Sequence, residues 1–285
     1  MRKLFLLFSI ALSPALYSQP YLDIVKIVYS YSPLKGLNEK TSPLQANFSS
    51  IDLNIPIELK KGGNAIIINP FFENNEGEVS SIDFHVMSAG SLFGFLKKNI
   101  VEDWNLLGGF IIRQNKEAGE DLKDDWQYGG VLLTTYVKDQ YLSLKFGIYY
   151  NKEFFGNYFM ALAGIDWQIN SKNNLFGVLP GSLTFEHKVN QRFFYGSTFR
   201  ALTNSYRLQT TDPPLKRYLR VDDNQLGIFG DVYLTKKIVL TGETGYTILR
   251  RYRFGFKGEN VNEKTDYKND NFYFRVSLAY RLHLR

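Results

Sequence analysis

Apolar and polar residues alternate one for one along most of this chain. The run to Leu284 shows it most cleanly. Phe272, Phe274, Val276, Leu278, Tyr280, Leu282 and Leu284 form one set, and Tyr273, Arg275, Ser277, Ala279, Arg281 and His283 form the other. A strand points successive side chains to opposite faces, so this segment has one apolar face and one polar face with two arginines. The same period recurs in Ile51–Lys60, Tyr141–Tyr150, Phe159–Asn170 and Leu226–Leu234. Trp104–Arg113 and Trp126–Lys138 carry apolar residues on both faces. That fits either a partly filled interior or a different phase.

Read this way, the chain predicts strands over 21–32, 47–59, 64–73, 79–88, 103–113, 126–138, 141–151, 158–169, 174–189, 192–202, 224–235, 238–250 and 271–284. Most have the length that a tilted strand needs to cross a bilayer. The fold class expected is all-β, a single antiparallel transmembrane barrel of about 12 strands, within a range of roughly 10 to 14, because such single-chain barrels have even strand numbers. Two stretches are in question: 174–189, which Leu179-Pro180-Gly181 interrupts, and Ser80–Asn99. Tight turns are expected at 61–64, 138–140, 171–174, 190–192 and 235–237. Long polar loops are expected at 33–46, 114–125, 203–224 and 251–270. Short turns at one rim and long loops at the other fit an outer-membrane barrel.

The N-terminus sharpens the compartment. Arg2 and Lys3 precede the short apolar run Leu4–Leu12, and Ser13, Pro14 and Ala15 begin a small-residue end, the parts of a secretory signal. Cleavage after Ala15 or after Ser18 fits. A cut at Ser18 is preferred, giving a signal peptide at 1–18 and a barrel domain at 19–285. The expected location is the outer membrane of a Gram-negative cell. The 285 residues include no Cys, which removes disulfides, thiolate metal sites and a Cys nucleophile. The net charge of +6 is spread along the chain with no basic block, so nucleic acid is not an expected partner. The expected partners are outer-membrane lipid and lipopolysaccharide, with the barrel-assembly machinery during biogenesis.

Trp167–Leu208 reads WQINSKNNLFGVLPGSLTFEHKVNQRFFYGSTFRALTNSYRL. With Tyr29-Ser30-Tyr31-Ser32-Pro33 and Leu278-Ala279-Tyr280-Arg281-Leu282, it resembles an uncharacterised outer-membrane β-barrel family of Bacteroidota, a domain of unknown function. The resemblance implies fold and location and brings no catalytic residues. One departure is the ending Leu284-Arg285 where such proteins finish on an aromatic residue, which leaves Tyr280 and Leu282 for recognition by the assembly machinery.

Little in the chain suggests catalysis. His85, His187 and His283 have no ligand spacing and no HExxH motif, so neither metal, cofactor nor enzyme activity is expected. His187 shares a parity with Leu183, Phe185 and Val189, which places it on the lipid-facing set near a rim. His283 shares the polar face with Ser277 at about 20 Å along the strand, too far for direct contact. The acidic stretch 117–125 lacks EF-hand spacing and reads as a solvated loop. Arg207, Lys216, Arg217 and Arg220 read as a solvated loop that could also meet lipopolysaccharide phosphates. Trp104, Trp126 and Trp167 suit interfacial girdles.

The polar faces are more informative. Glu186, Arg200, Asp231, Glu243, Arg275 and Arg281 all fall on the inward parity and are the candidate lumen-lining charges. With a tight turn at Thr235–Lys237, Asp231 falls opposite Thr241 and Phe229 opposite Glu243. Such charges either fill a barrel with ion pairs or form a charge-selecting constriction. Three readings remain: a narrow pore or transport-related barrel, a filled structural or surface-interaction barrel working through its loops, or a soluble periplasmic β-rich binding protein with the apolar face turned inward.

Overall fold

The computed structural model describes residues 20–34, 44–59, 63–79, 82–120, 125–209, 217–256 and 265–283. The expected signal peptide falls outside them. The strands are β1 (Tyr21–Leu34), β2 (Leu44–Leu53), β3 (Ile55–Glu58), β4 (Ala65–Val79), β5 (Ile82–Val101), β6 (Trp104–Glu117), β7 (Trp126–Val137), β8 (Leu142–Glu153), β9 (Gly156–Gln168), β10 (Asn173–Leu179), β11 (Ser182–Lys188), β12 (Phe193–Arg207), β13 (Arg217–Tyr233), β14 (Ile238–Phe256), β15 (Thr265–Lys268) and β16 (Phe272–His283). Apart from β2 with β3 and β15 with β16, neighbours in sequence pair antiparallel, and β1 pairs with β16, which closes the sheet. β2 and β3 are one stave broken at Asn54, since both pair with β4. β15 and β16 are likewise one stave against β14. The result is a closed, all-β, antiparallel 14-strand barrel.

Fourteen replaces the expected twelve for a local reason. The stretch 174–189 is two strands, β10 and β11, turned at Pro180-Gly181. Proline has no N–H to give a ladder, and Gly177, with φ 147°, takes a backbone that side chains disfavour. The split restores an even count and the alternation of rims. The expected tight turns at 138–140, 171–174, 190–192 and 235–237 then fall at the rim that holds Tyr21 and His283, here the near rim, and the turn expected at 61–64 lies partly outside the described residues. Strand runs toward the far rim well into all four ranges expected as long loops, whose middles lie outside the described residues: β1 extends to Leu34, β6 to Glu117, β12 to Arg207, and β14 to Phe256. On β12 and β14 the added length carries Tyr206, Tyr252 and Phe254 into a buried far-rim cluster with Phe84, Val86, Leu219 and Val221. Ser80–Asn99 belongs largely to β5, a single strand of 20 residues.

Burial is inverted relative to a soluble domain. On β16, Phe272, Phe274, Val276, Leu278 and Tyr280 are 40–59% exposed, while Tyr273, Ser277, Ala279 and Arg281 are at most 4% exposed. Ile27, Phe93, Phe110, Phe146, Ile148, Leu226 and Ile228 continue the exposed apolar band around the barrel. The soluble reading required this face to point inward, and it points outward. Aromatic side chains bracket the band. On β7 the outward Trp126 and Tyr128 stand near the far end. At the near end Tyr136 packs on Trp104 with centroids 5.2 Å apart. From Trp126 to Tyr136 is about 34 Å along the strand, or roughly 25 Å after a ~40° tilt, the height of an outer-membrane apolar band. Among the described residues no helix is long and apolar enough to cross a membrane.

Candidate functional site

The inward faces of β11–β16 and β1 carry charge in layers. Nearest the near rim, Arg281 donates from Nε to Asp23 and from Nη1 to Asp231, each at 2.6 Å. Asp231 also accepts from the Thr241 hydroxyl at 2.6 Å. The Arg281 guanidinium lies 3.6 Å from the centroid of the Tyr21 ring. Glu186, 1% exposed, accepts from Asn174 at 3.3 Å through one oxygen. Its other oxygen has no hydrogen-bond partner among the described residues.

The middle layer centres on Glu243. It accepts from both terminal nitrogens of Arg200, one at 2.7 Å, and from the Tyr273 hydroxyl at 2.6 Å. Arg275 lies directly across the ladder, its Nη1 3.6 Å from Glu243, and gives Nη2 to Gln225 at 2.8 Å. The expected register holds, with Phe229 opposite Glu243 and Asp231 opposite Thr241.

The next layer depends on a bulge. Leu249 sits at φ 57°, and the register of β13 against β14 slips there. Unbroken alternation would put Leu249 inward with Thr247. Instead Leu249 is 62% exposed and Arg250 is 3% exposed. Arg250 donates to both oxygens of Asp223 at 2.9 Å and to the Ser32 hydroxyl at 2.6 Å.

A fourth network closes the far mouth. β12, still paired with β13, reaches over the far mouth until Arg207 pairs with Lys116 of β6. Its Ser205 meets Glu153 of β8, donating O–H at 2.6 Å and N–H at 3.1 Å. Glu153 also accepts from Arg113, from Gln127 at 3.0 Å and from Asn151 at 2.6 Å. Phe154 donates its N–H to Ser205 Oγ at 2.9 Å. Such buried polar groups are stable only as a completed network.

Two spaces border the charged layers. A vestibule of about 330 Å³ at the near rim is bordered by Tyr21, Asp23, Lys26, Asp52, Asn54 and Phe176. A cavity of about 60 Å³ lies beyond the middle layer, bordered by Ser30, Asn204, Gln225, Arg250 and Arg275. The opposite inner wall is largely apolar at mid-height, with the buried Lys145–Asp166 pair of β8 and β9, 2.6 Å apart, set into it. Ile67, Leu92 and Leu107 crowd around inward Gly94, Val131 and Leu92 around Gly109, Leu133 beside Gly147, and Val178 beside Gly164.

All six candidate charges therefore lie on the inner face, five of them in the hydrogen-bonded layers and Glu186 beside the first. Arg250, Asp223, Asp23, Arg113 and Glu153 were missed. Arg250 was hidden by the bulge, and Glu153 stands at the end of its strand. Arg207, Arg217 and Arg220 lie on strands rather than in a loop. Arg207 donates to the Leu208 and Arg217 carbonyls, Arg217 lies over Phe254, and Arg220 pairs with Asp222 and lies over Phe155. Lys216 and residues 121–124 fall outside the described residues. His187 bonds Asn173 at 2.7 Å near the rim, His85 bonds Asn74 at 2.8 Å, and His283 stacks on Tyr233. Among the described residues no group of three or more His, Asp or Glu could hold a metal ion.

No family model and no curated protein matches the chain. Solved structures that it resembles include the NanC porin (TM-score 0.41, 10% identity, 90% of this chain and 100% of that one). An outer membrane channel from Pseudomonas putida F1 gives TM-score 0.45, 9% identity, 90% and 94%. The P. putida toluene transporter TodX gives 0.41, 8%, 92% and 91%. Likeness at this level has no bearing on function.

Proposed function

We propose that this protein is an outer-membrane barrel that serves as a narrow, transport-related conduit. The observation that carries the location is the exposed apolar band of about 25 Å between aromatic rows, a surface that only lipid covers without cost. Outer-membrane lipid and lipopolysaccharide are its surroundings in this reading, and the Bacteroidota barrel family that 167–208 resembles belongs to it. The vestibule and the inner cavity support the conduit. They are separated by the Arg200–Glu243–Arg275 layer, which acts as the constriction and selects by charge. A second reading, a filled barrel that works structurally or through its far rim, draws on the Glu153–Ser205 closure.

Cell fractionation with gel mobility of unheated against boiled protein tests the location. Outer-membrane recovery with a heat-modifiable shift is the expected result, and a soluble protein with no shift would sink it. Planar-bilayer recording then separates the two functions. Small steps of conductance support the conduit. Silence at every voltage, also in a Ser205→Ala variant that retains the shift, leaves the filled barrel.

A further inference from the structure

The wall of this barrel is low on one side. β10 and β11 have 7 residues each, against 13 in β9 and 15 in β12. Leu175 pairs with Trp167, a near-rim aromatic that is 40% exposed. Leu179, the last residue of β10, stands only about 10 Å higher at a ~40° tilt, below the middle of a ~25 Å apolar layer. Above the hairpin, residues 156–162 of β9 pair with β8 alone, and residues 202–206 of β12 ladder with β13 on one side only, between the Ala201 N–H bond to Gly181 at 3.1 Å and the Arg207 bridge to β6.

These edges bound an opening. Its floor is the tip 179–182, about 14 Å wide for three strand spacings. Its sides are β9 and β12. At the top, Phe154 in the turn between β8 and β9 gives its N–H to Ser205 Oγ of β12 at 2.9 Å. Unpaired strand backbone is not tolerated against hydrocarbon, but it is where it lines a cavity. The chamber behind the opening has the matching chemistry. Leu92, Leu107, Val131, Leu133, Leu162 and Val178 form an apolar inner surface on β5–β10 around the buried Lys145–Asp166 pair, and each is partly exposed although it points inward. Side chains that face inward yet keep exposure border open space. Across that space stand Arg200, Glu243 and Arg275.

We infer that the conduit carries a single-chain amphiphile, tail on the β5–β10 wall and head toward the charged wall, and passes it between lumen and membrane through the window between β9 and β12. The inference rests on the transport reading above and names its substrate class and route. The head meets the vestibule at the near rim. The far mouth stays shut by the Glu153–Ser205 network, so traffic runs sideways rather than straight through.

The test uses the whole barrel in phosphatidylcholine vesicles with a diazirine-bearing decanoic acid as probe. Photolabelled peptides are mapped by mass spectrometry, with and without excess decanoic acid. Labelling of 131–133, 160–163 and 176–179 that decanoic acid competes away is expected. Leu162→Asp puts a charge in the apolar wall and should cut that labelling at least about tenfold. A second variant raises the wall, with Val-Thr inserted after Leu179 and Thr-Val before Ser182. It should slow labelling by membrane-delivered probe. Label confined to outward residues such as Ile148 and Phe159, indifferent to competitor, overturns the inference. So does unchanged labelling of the raised-wall variant. Each sample is checked for the heat-modifiable shift. A native chain without the shift refutes the barrel reading itself, whereas a shifted chain without competed label refutes only the amphiphile.

Discussion

Replacing Glu243 with Gln asks whether the middle layer is held by one acid. The Glu243 side chain is 4% exposed and faces Arg200, Arg275 and Tyr273. Gln keeps the shape and an acceptor but removes the charge, so two guanidiniums then share the layer with no anion between them. Hydrogen bonds to charged groups are worth about 1.5–3 kcal/mol against about 0.5–1.5 for neutral ones, and breaking one side of a buried pair costs about 3–5 kcal/mol. Glu243→Gln should therefore cost about 3 kcal/mol. Arg275→Gln should cost about 1 kcal/mol, because the Arg200–Glu243 pair survives and like-charge crowding is relieved. The double variant should recover part of the loss, since groups in one network couple by about 0.5–3 kcal/mol. Urea unfolding of vesicle-reconstituted barrel measures all three. The reversal potential under a KCl gradient should shift toward anions in Glu243→Gln alone. Equal losses for the two single variants, or an unchanged reversal potential in a conducting barrel, would refute the one-acid account.

Other consequences follow from position. Val276→Arg, at mid-band on the outward face, should cost about 2–4 kcal/mol in vesicle unfolding, whereas Tyr280→Arg at the near aromatic row should cost about 0–1. Ser205→Ala removes the hydroxyl that joins Glu153 to Phe154 and should lengthen or enlarge conducting events while costing about 1–3 kcal/mol. Leu249→Val should destabilise more than Leu249→Gly, by about 1 kcal/mol, since a β-branched residue suits the positive φ least. The reverse order would mean that lipid contact, not backbone strain, rules there.

The alternation in Phe272–His283 settles much before any coordinates. A period of two on a pleated strand fixes which side chains share a face, and repeated hairpins with one apolar face leave few architectures open. The near-rim turns and the register of β13 on β14 follow from the same local rule, and they put Glu243 opposite Phe229. Local pattern also flagged β6 and β7 as apolar on both faces, and the tertiary structure gives the reason: their inner side is the apolar wall of the lumen. What the pattern could not decide is whatever depends on residues distant in sequence. The bulge at Leu249 turns Arg250 inward through one backbone angle. The crossing of β12 to β6 brings Ser205 to Glu153, 52 residues away. The split of 174–189 raises the strand number and lowers the wall. Sequence alone determined the face of each side chain, because that is set by covalent geometry one residue at a time. Only the closed barrel decided which faces meet across the lumen, because that depends on strand number, strand length and tilt together.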